Sequence, residues 1–258
     1  MMTRIASVPL LSVVTVTYNA HGALTQTLES VASQRSEAFE YVIVDGASTD
    51  GTLDLLEKYR ERVDQFVSEP DKGIYDAMNK ALRLAKGRYV HFLNAGDTFI
   101  SPDSVSQIEV ELHHDRPLEM FQVIGSVPNS DVTTVLPRSF GLTDKRELFW
   151  SAYSHQAAVV RRDVYLRNGG FDVRFPTFAD FKAVMAARDF GEASFGEHAL
   201  PIVNFPLDGV SSDWRRAVSH YREIERLLDA MGCGRGPLSF GVGLLRAHAY
   251  KLKMRLKR

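Results

Sequence analysis

The stretch Ile74-Tyr75-Asp76-Ala77-Met78-Asn79-Lys80-Ala81-Leu82-Arg83-Leu84-Ala85-Lys86-Gly87-Arg88-Tyr89-Val90-His91-Phe92-Leu93-Asn94-Ala95-Gly96-Asp97 changes its hydrophobic period midway. Ile74, Ala77, Met78, Ala81, Leu82 and Ala85 recur at i, i+3, i+4, i+7, i+8 and i+11, one face of a helix predicted over 74–86. Beyond Gly87, Tyr89–Leu93 is an apolar run too short for a helix and reads as a buried strand. It stops at the polar cluster Asn94-Ala95-Gly96-Asp97. A helix that feeds directly into such a strand is the repeating unit of a parallel α/β sheet.

The same alternation extends towards the N-terminus. Leu10–Thr17, Tyr41–Val44 and Gln65–Val67 read as strands, with helices predicted at about 22–34 and 51–62 between them. These βαβ units predict a Rossmann-like α/β domain whose sheet is mixed and mainly parallel, with ligands at the carboxyl ends of the strands. Towards the C-terminus the pattern loosens. Met120–Ile124, Thr133–Leu136 and Ser154–Val160 read as strands and Asp180–Arg188 as a helix, without internal repeat or low-complexity segment.

Composition narrows the class. With 45% hydrophobic and 24% charged residues among 258, the chain is neither disordered nor membrane-spanning in character. The single Cys233 rules out an intrachain disulfide and any cysteine metal cluster, and points to a reducing compartment. Met1–Pro9 lacks the apolar segment of a signal peptide, and no stretch approaches the roughly 18 apolar residues of a membrane span. A cytoplasmic location is expected. Charge is distributed unevenly: residues 215–258 hold eleven Lys/Arg against three Asp/Glu, whereas 1–214 hold 20 against 29. An acidic body with a basic tail suggests an anionic surface as the tail's partner and argues against nucleic acid as the body's.

The strands end in Thr17-Tyr18-Asn19, in Asp45-Gly46-Ala47-Ser48-Thr49-Asp50-Gly51-Thr52 and in Asn94-Ala95-Gly96-Asp97, so three polar clusters converge on one sheet edge. Taken singly, Thr49 or Asp50 reads as a helix cap and Gly96-Asp97 as a turn. Jointly they outline a site. Neither GxGxxG nor GxxxxGK[ST] occurs, so a diphosphate would need another neutralising device. A divalent cation, Mg²⁺ or Mn²⁺, held by the strand-end carboxylate Asp97 would serve.

These residues resemble glycosyltransferase family 2 of the GT-A fold. The likeness runs through Ser12–Asn19, Ile43–Thr52, Ser68–Lys80 and Gly87–Asp97, and its middle block looks most like the branch that builds bacterial exopolysaccharides, including colanic-acid-type enzymes. The resemblance implies an inverting transfer from a nucleotide-diphosphate sugar, a UDP-sugar by preference, to a hydroxyl of a glycan or lipid-linked sugar. It divides 1–214 into a donor-binding half, 10–100, and an acceptor half, 101–214, followed by a basic helical extension, 215–258. It implies that Thr17 and Tyr18 line the nucleobase pocket, that Asp45 accepts from the base imide, and that Asp71 and Lys72 lie near the ribose and sugar phosphate. Asp97 corresponds to the last acid of the DxD motif. Asn94 stands at its usual first acid, and Asp45-Gly46-Ala47-Ser48 drops the second acid of the common Asp-Asp-Gly-Ser.

In the second half the likeness continues through Ser154–Ala157, Gly169–Asp172 and Phe178–Phe181, and it implies that Asp180 is the general base. Inverting displacement needs such a group, because the attacking hydroxyl loses its proton as the new bond forms. An N-cap for the following helix is the structural alternative for Asp180. His155 reads either as an acceptor or phosphate contact or as a satisfied strand-end histidine. Val203–Ser212 resembles a loop that closes on the donor side, with Asp208 in place of its first glycine.

In 241–258, Leu245, Ala249, Leu252 and Leu256 form a stripe flanked by Lys and Arg, a pattern suited to an anionic membrane surface at the inner face or to packing on the body. Three other readings compete with a transferase. A pyrophosphorylase would need a basic glycine-rich loop where Thr17–Gly22 stands, a silent nucleotide-sugar-binding or scaffold protein would exploit the incomplete DxD, and nucleic-acid binding rests on the tail alone.

Overall fold

β1 (Leu11–Thr17) is buried along its whole length and has a parallel partner on each side, β2 (Glu40–Asp45) and β4 (Tyr89–Phe92). Strands covered on both faces are mostly apolar, so these segments read as near-continuous hydrophobic runs, and buried polar residues such as Ser12, Thr15 and Glu40 are hydrogen-bonded. The computed structural model describes residues 8–127, 130–137, 140–150, 155–190, 195–207 and 217–233. β3 (Gln65–Ser68) adds to β2, so the first half runs β3-β2-β1-β4, connected by α1 (His21–Ala32), α2 (Thr52–Lys58) and α3 (Ile74–Leu84). The chain moves outward from β1 to β3 and then crosses back to β4. In open α/β sheets such a reversal marks the switch point at which ligands bind, here beyond the carboxyl ends of β1 and β4.

After β4 come β5 (Thr98–Phe99), α4 (Ser104–Leu112), β6 (Leu118–Ser126), β7 (Thr133–Leu136), α5 (Lys145–Trp150), β8 (Ala158–Arg161) and α6 (Arg162–Arg167). α7 (Ala179–Arg188), β9 (Gly196–Pro206) and α8 (Ala217–Ala230) follow. β8 pairs antiparallel with both β4 and β6, β9 lies parallel to β6, and β5 and β7 pair antiparallel with β9 and β6. Among the described residues, nine strands thus make one mixed sheet, parallel from β1 to β4 and reversing at β8.

Four sequence expectations need correction. On α3, Ile74 is exposed and Tyr75 is buried, so the inward face is turned by one residue at its start. The helix expected over 51–62 ends at Lys58 and gives way to a tight turn at Arg60–Arg62. The strand expected over Ser154–Val160 starts only at Ala158, because His155–Ala157 form a 3₁₀ turn. Asp180 is not an N-cap: Phe178 holds that position, and Asp180 lies inside the first turn of α7 with its side chain directed elsewhere.

α8 falls within the basic extension and packs on the body through the buried Leu227 and Leu228. Its Glu223 carboxylate accepts the N–H groups of Thr177 (2.7 Å) and Phe178 (3.0 Å), just ahead of α7. Among the described residues no helix is long and apolar enough to cross a membrane. The loop around Asp208 and the stripe at 241–258 lie outside the described residues.

Candidate active site

The ends of β1 and β2 are stitched together by side chains. Asp45, fully buried, accepts from Ser48 N (2.9 Å), from Ser48 Oγ and from Ser68 Oγ (2.6 Å). Ser48 Oγ accepts in turn from Asn19 N (2.8 Å), while Asn19 Oδ1 accepts from Thr49 N (2.8 Å). This network holds Ala47 in the left-handed region at φ 63°, a conformation that a side chain adopts only when its surroundings over-determine it. Asp50, expected as a cap, joins two helix starts by accepting from Thr52 N (3.1 Å) and His21 N (3.1 Å).

Beside that platform Tyr18 is 63% exposed, an aromatic face open to solvent. Gly46 lies beneath it, and a Cβ there would stand 2.5 Å from Asp71 Oδ2 and 3.2 Å from Tyr18 Cδ2. Tyr18 and Asp71 therefore close over a strand-end residue without a side chain. Asp71 Oδ1 accepts from Gly73 N (2.8 Å), leaving Oδ2 directed over Gly46, while Lys72 is exposed. Thr17 Oγ1 is buried without a hydrogen-bond partner at the same edge.

One hydrogen-bonded chain links the two halves. Tyr75 OH lies 2.9 Å from Asp180 Oδ1, Asp180 Oδ2 lies 2.9 Å from His155 Nδ1, and His155 Nε2 lies 2.9 Å from Asn94 Nδ2. In the neutral imidazole, with its proton on Nδ1 donated to Asp180, the Nε2 lone pair accepts from the Asn94 amide. Burial opposes charge on both partners, yet their mutual contact prevails: Asp180 is held below the usual carboxylate range and His155 is raised above the usual imidazole range. The 3₁₀ turn at His155–Ala157 makes this possible, because it swings the imidazole off the line of β8 towards α7.

Asp97 sits on the turn after β4, where its Oδ2 accepts from Asn94 N (3.2 Å) and its carboxylate also meets the Gln156 side chain. Burial pushes it up to about 7, with the nearby His155 acting in the opposite direction. Among the described residues no group of three or more His, Cys, Asp and Glu gathers into a ready-made cage. What this corner offers is the Asp97 carboxylate and the buried, unpartnered Asn94 Oδ1. Those two oxygens fit a hard cation that takes its remaining ligands from phosphate and water.

The structure thus brings Asn94, Asp97, His155 and Asp180 together and places Thr17, Tyr18, Asp45 and Asp71 on the adjoining platform, with Lys72 on its rim. Sequence reading overlooked Tyr75 and Gln156. The signal for Tyr75 was its place one residue into an amphipathic helix, where i, i+3, i+4 and i+7 from Tyr75 reach Met78, Asn79 and Leu82.

Residues 12–168 match the family described as glycosyl transferase family 2. A PGL/p-HBAD biosynthesis glycosyltransferase of Mycobacterium bovis is 30% identical over 195 residues, covering 74% of this chain and 72% of that protein. A Bacillus subtilis protein named for teichuronic acid biosynthesis is 41% identical over 104 residues, 39% of this chain and 41% of that one. Among solved structures, Staphylococcus aureus TarS 1–349 in complex with UDP-GlcNAc superposes with TM-score 0.67 at 20% identity, over 84% of this chain and 65% of that one. The mannosyltransferase PcManGT of Pyrobaculum calidifontis, in complex with GDP-Man and Mn²⁺, gives TM-score 0.64 at 20% identity over 95% and 70%. On its matched residues and its sheet, the chain belongs to glycosyltransferase family 2 and has the GT-A fold.

Proposed function

We propose that the protein transfers a sugar, with inversion, from a nucleotide-diphosphate donor to a hydroxyl of a glycan or lipid-linked acceptor in surface polysaccharide or glycolipid synthesis. The observation that carries this reading is the chain Asp180–His155–Asn94 beside Asp97, which joins a proton acceptor in the second half to the strand end where a diphosphate would lie. The names of the relatives, with the donors bound in the TarS and PcManGT structures, support the substrate class, and a UDP-sugar is the favoured donor.

On this reading Tyr18 stacks on the base, and Thr17 Oγ1, buried and unpartnered, is free to bond it. Asp45 accepts from the base imide, or shapes the loop that does, since Ser48 and Ser68 already engage both its oxygens. Asp71 and Lys72 face the ribose and sugar phosphate. Asp97 and Asn94 would hold Mg²⁺ or Mn²⁺, which when bound neutralises charge on the departing diphosphate. Asp180 takes the proton of the attacking hydroxyl, and His155 fixes its orientation. The basic stretch 241–258 brings the protein to the anionic inner face of the membrane, where a lipid-linked acceptor resides.

Incubation with a panel of nucleotide sugars and Mg²⁺ or Mn²⁺ tests this, with nucleotide release as the readout. Asp180→Asn should lower turnover by about 10²–10⁴-fold, the usual contribution of a general base, with donor affinity unchanged. Turnover within threefold of wild type would place the base elsewhere. Binding without turnover of any donor would favour a silent nucleotide-sugar-binding protein.

A further inference from the structure

We infer that Tyr75 is a positioning residue for the base: its hydroxyl is a two-way rotor that holds the Asp180 carboxyl in place both before and after it takes a proton. The inference rests on the reading of Asp180 as base. It accounts for the Tyr75–Asn79 and Gly169–Asp172 segments, to which sequence reading gave no task.

The geometry is specific. Tyr75 OH has two acceptors in reach, Asp180 Oδ1 at 2.9 Å and Thr177 O at 2.7 Å, and it owns a single proton. While Asp180 is a carboxylate it is the stronger acceptor and draws that proton. Once Asp180 has taken the proton of an attacking hydroxyl on Oδ1 it is a neutral acid, the phenolic proton turns to the Thr177 carbonyl, and the Tyr75 oxygen accepts from the new Oδ1–H. In the transfer the substrate hydroxyl's O–H bond breaks as the carboxyl O–H bond forms, while its oxygen bonds the anomeric carbon and the bond from that carbon to the diphosphate breaks, the nucleoside diphosphate leaving with the electron pair. No buried donor is orphaned in either state.

The ring itself is immobilised. Tyr75 stacks on Phe171 with centroids 5.7 Å apart. One turn further along α3, Asn79 donates to Phe171 O (2.8 Å) and accepts from Phe171 N (2.8 Å). That clamp requires Gly170, which stands at φ 70° and whose missing Cβ would collide with Asn79 Oδ1. Two side chains at i and i+4 on one helix of the donor half therefore grip residues 171–180, the segment that delivers the base. Titratable neighbours are few: His155 from the turn before β8, Tyr165 from α6 and Glu223 from α8 face this cluster, and none of them replaces the Tyr75 contact to Asp180 Oδ1.

The test uses the full chain carrying Tyr75→Phe, Asp180→Asn, or both. A carbon-13 NMR titration of the Asp180 carboxyl reads the contact without any substrate. Loss of the phenolic donor should move its titration to higher pH in Tyr75→Phe, and an unmoved titration would overturn the inference. In the donor-panel assay with UDP-GlcNAc, or whichever donor is turned over, Tyr75→Phe should lower kcat about tenfold, as for a misaligned catalytic group, with donor affinity unchanged. The acid limb of its pH profile should rise in step with the NMR shift. In the Asp180→Asn background the same change should cost nothing further. Full turnover by Asp180→Asn would defeat the base reading. A normal fall in Asp180→Asn with wild-type kcat in Tyr75→Phe would defeat only the rotor, and a lower melting temperature with no pH shift would reduce Tyr75 to packing.

Discussion

Two buried groups on or just past β4 oppose one another in their response to acid. Burial pushes Asp97 from 3.8 up to about 7, so between those values the folded chain holds a proton that the unfolded chain has lost, and stability falls as pH rises. Burial depresses His91 from 6.5 to about 4, so in its window the unfolded chain binds the extra proton and stability falls as pH drops. Between about pH 4 and 6.5 the two slopes cancel. Asp97→Asn removes the first and exposes the second. In chelator and without nucleotide, its melting temperature relative to wild type should climb from pH 4 to pH 7 and level off above that, and a constant difference would refute the assignment. Cation binding demands the ionised carboxylate. The same variant should therefore lose the metal-dependent part of nucleoside diphosphate affinity, which calorimetry with and without chelator would show. Asp97 was singled out by its place at a strand end and Asp180 by the family resemblance. The Tyr75 hydroxyl and the Gln156 contact were not legible, because each depends on which way a side chain turns after distant segments have met.

At the scale of elements, Glu40 ties three segments at the sheet edge opposite the site. Its Oε2 accepts from Ser12 Oγ (2.6 Å) on β1 and from Lys86 N (2.7 Å) in the turn between α3 and β4, and Ser12 Oγ accepts from Gly87 N (2.8 Å). Glu40→Ala leaves buried donors unmatched and should cost about 1–3 kcal/mol in urea unfolding, while turnover per folded molecule stays at the wild-type level. A loss below 0.5 kcal/mol would mean that water substitutes freely. The parallel strands were legible because their apolar runs end in polar clusters. β9 was not: Pro201 and partly exposed positions break its alternation, and its ladder with β6 shifts register around Gln122. The turn at His155 was hidden for a similar reason, since Ala157–Val160 is apolar enough to pass for one uninterrupted strand.

For the whole molecule, the acidic body and basic tail predict a salt-sensitive attraction to membranes. The full chain should sediment with phosphatidylglycerol vesicles at low salt and less so near physiological ionic strength, where exposed charges are screened within about 8–10 Å. Removing 241–258 should abolish sedimentation and leave nucleotide binding unchanged, and equal sedimentation would show that the tail is not the anchor. The loss of strict strand–helix alternation after Asp97 was readable in the sequence. How the halves join was not, because a β8 that runs against β4 leaves no mark in either strand's composition. That junction bears on how the chain is made. Every ladder from β1 to β4 is complete once residue 92 has left the ribosome, yet the far edge of β4, with Tyr89, Val90 and Phe92 destined for full burial, waits for residues 158–161. Throughout that interval of synthesis the nascent chain carries an open, hydrophobic strand edge, the template on which aggregation begins. Slowing translation between Leu93 and Ala158 should therefore increase the chain's dependence on chaperones without altering the product that is finally folded.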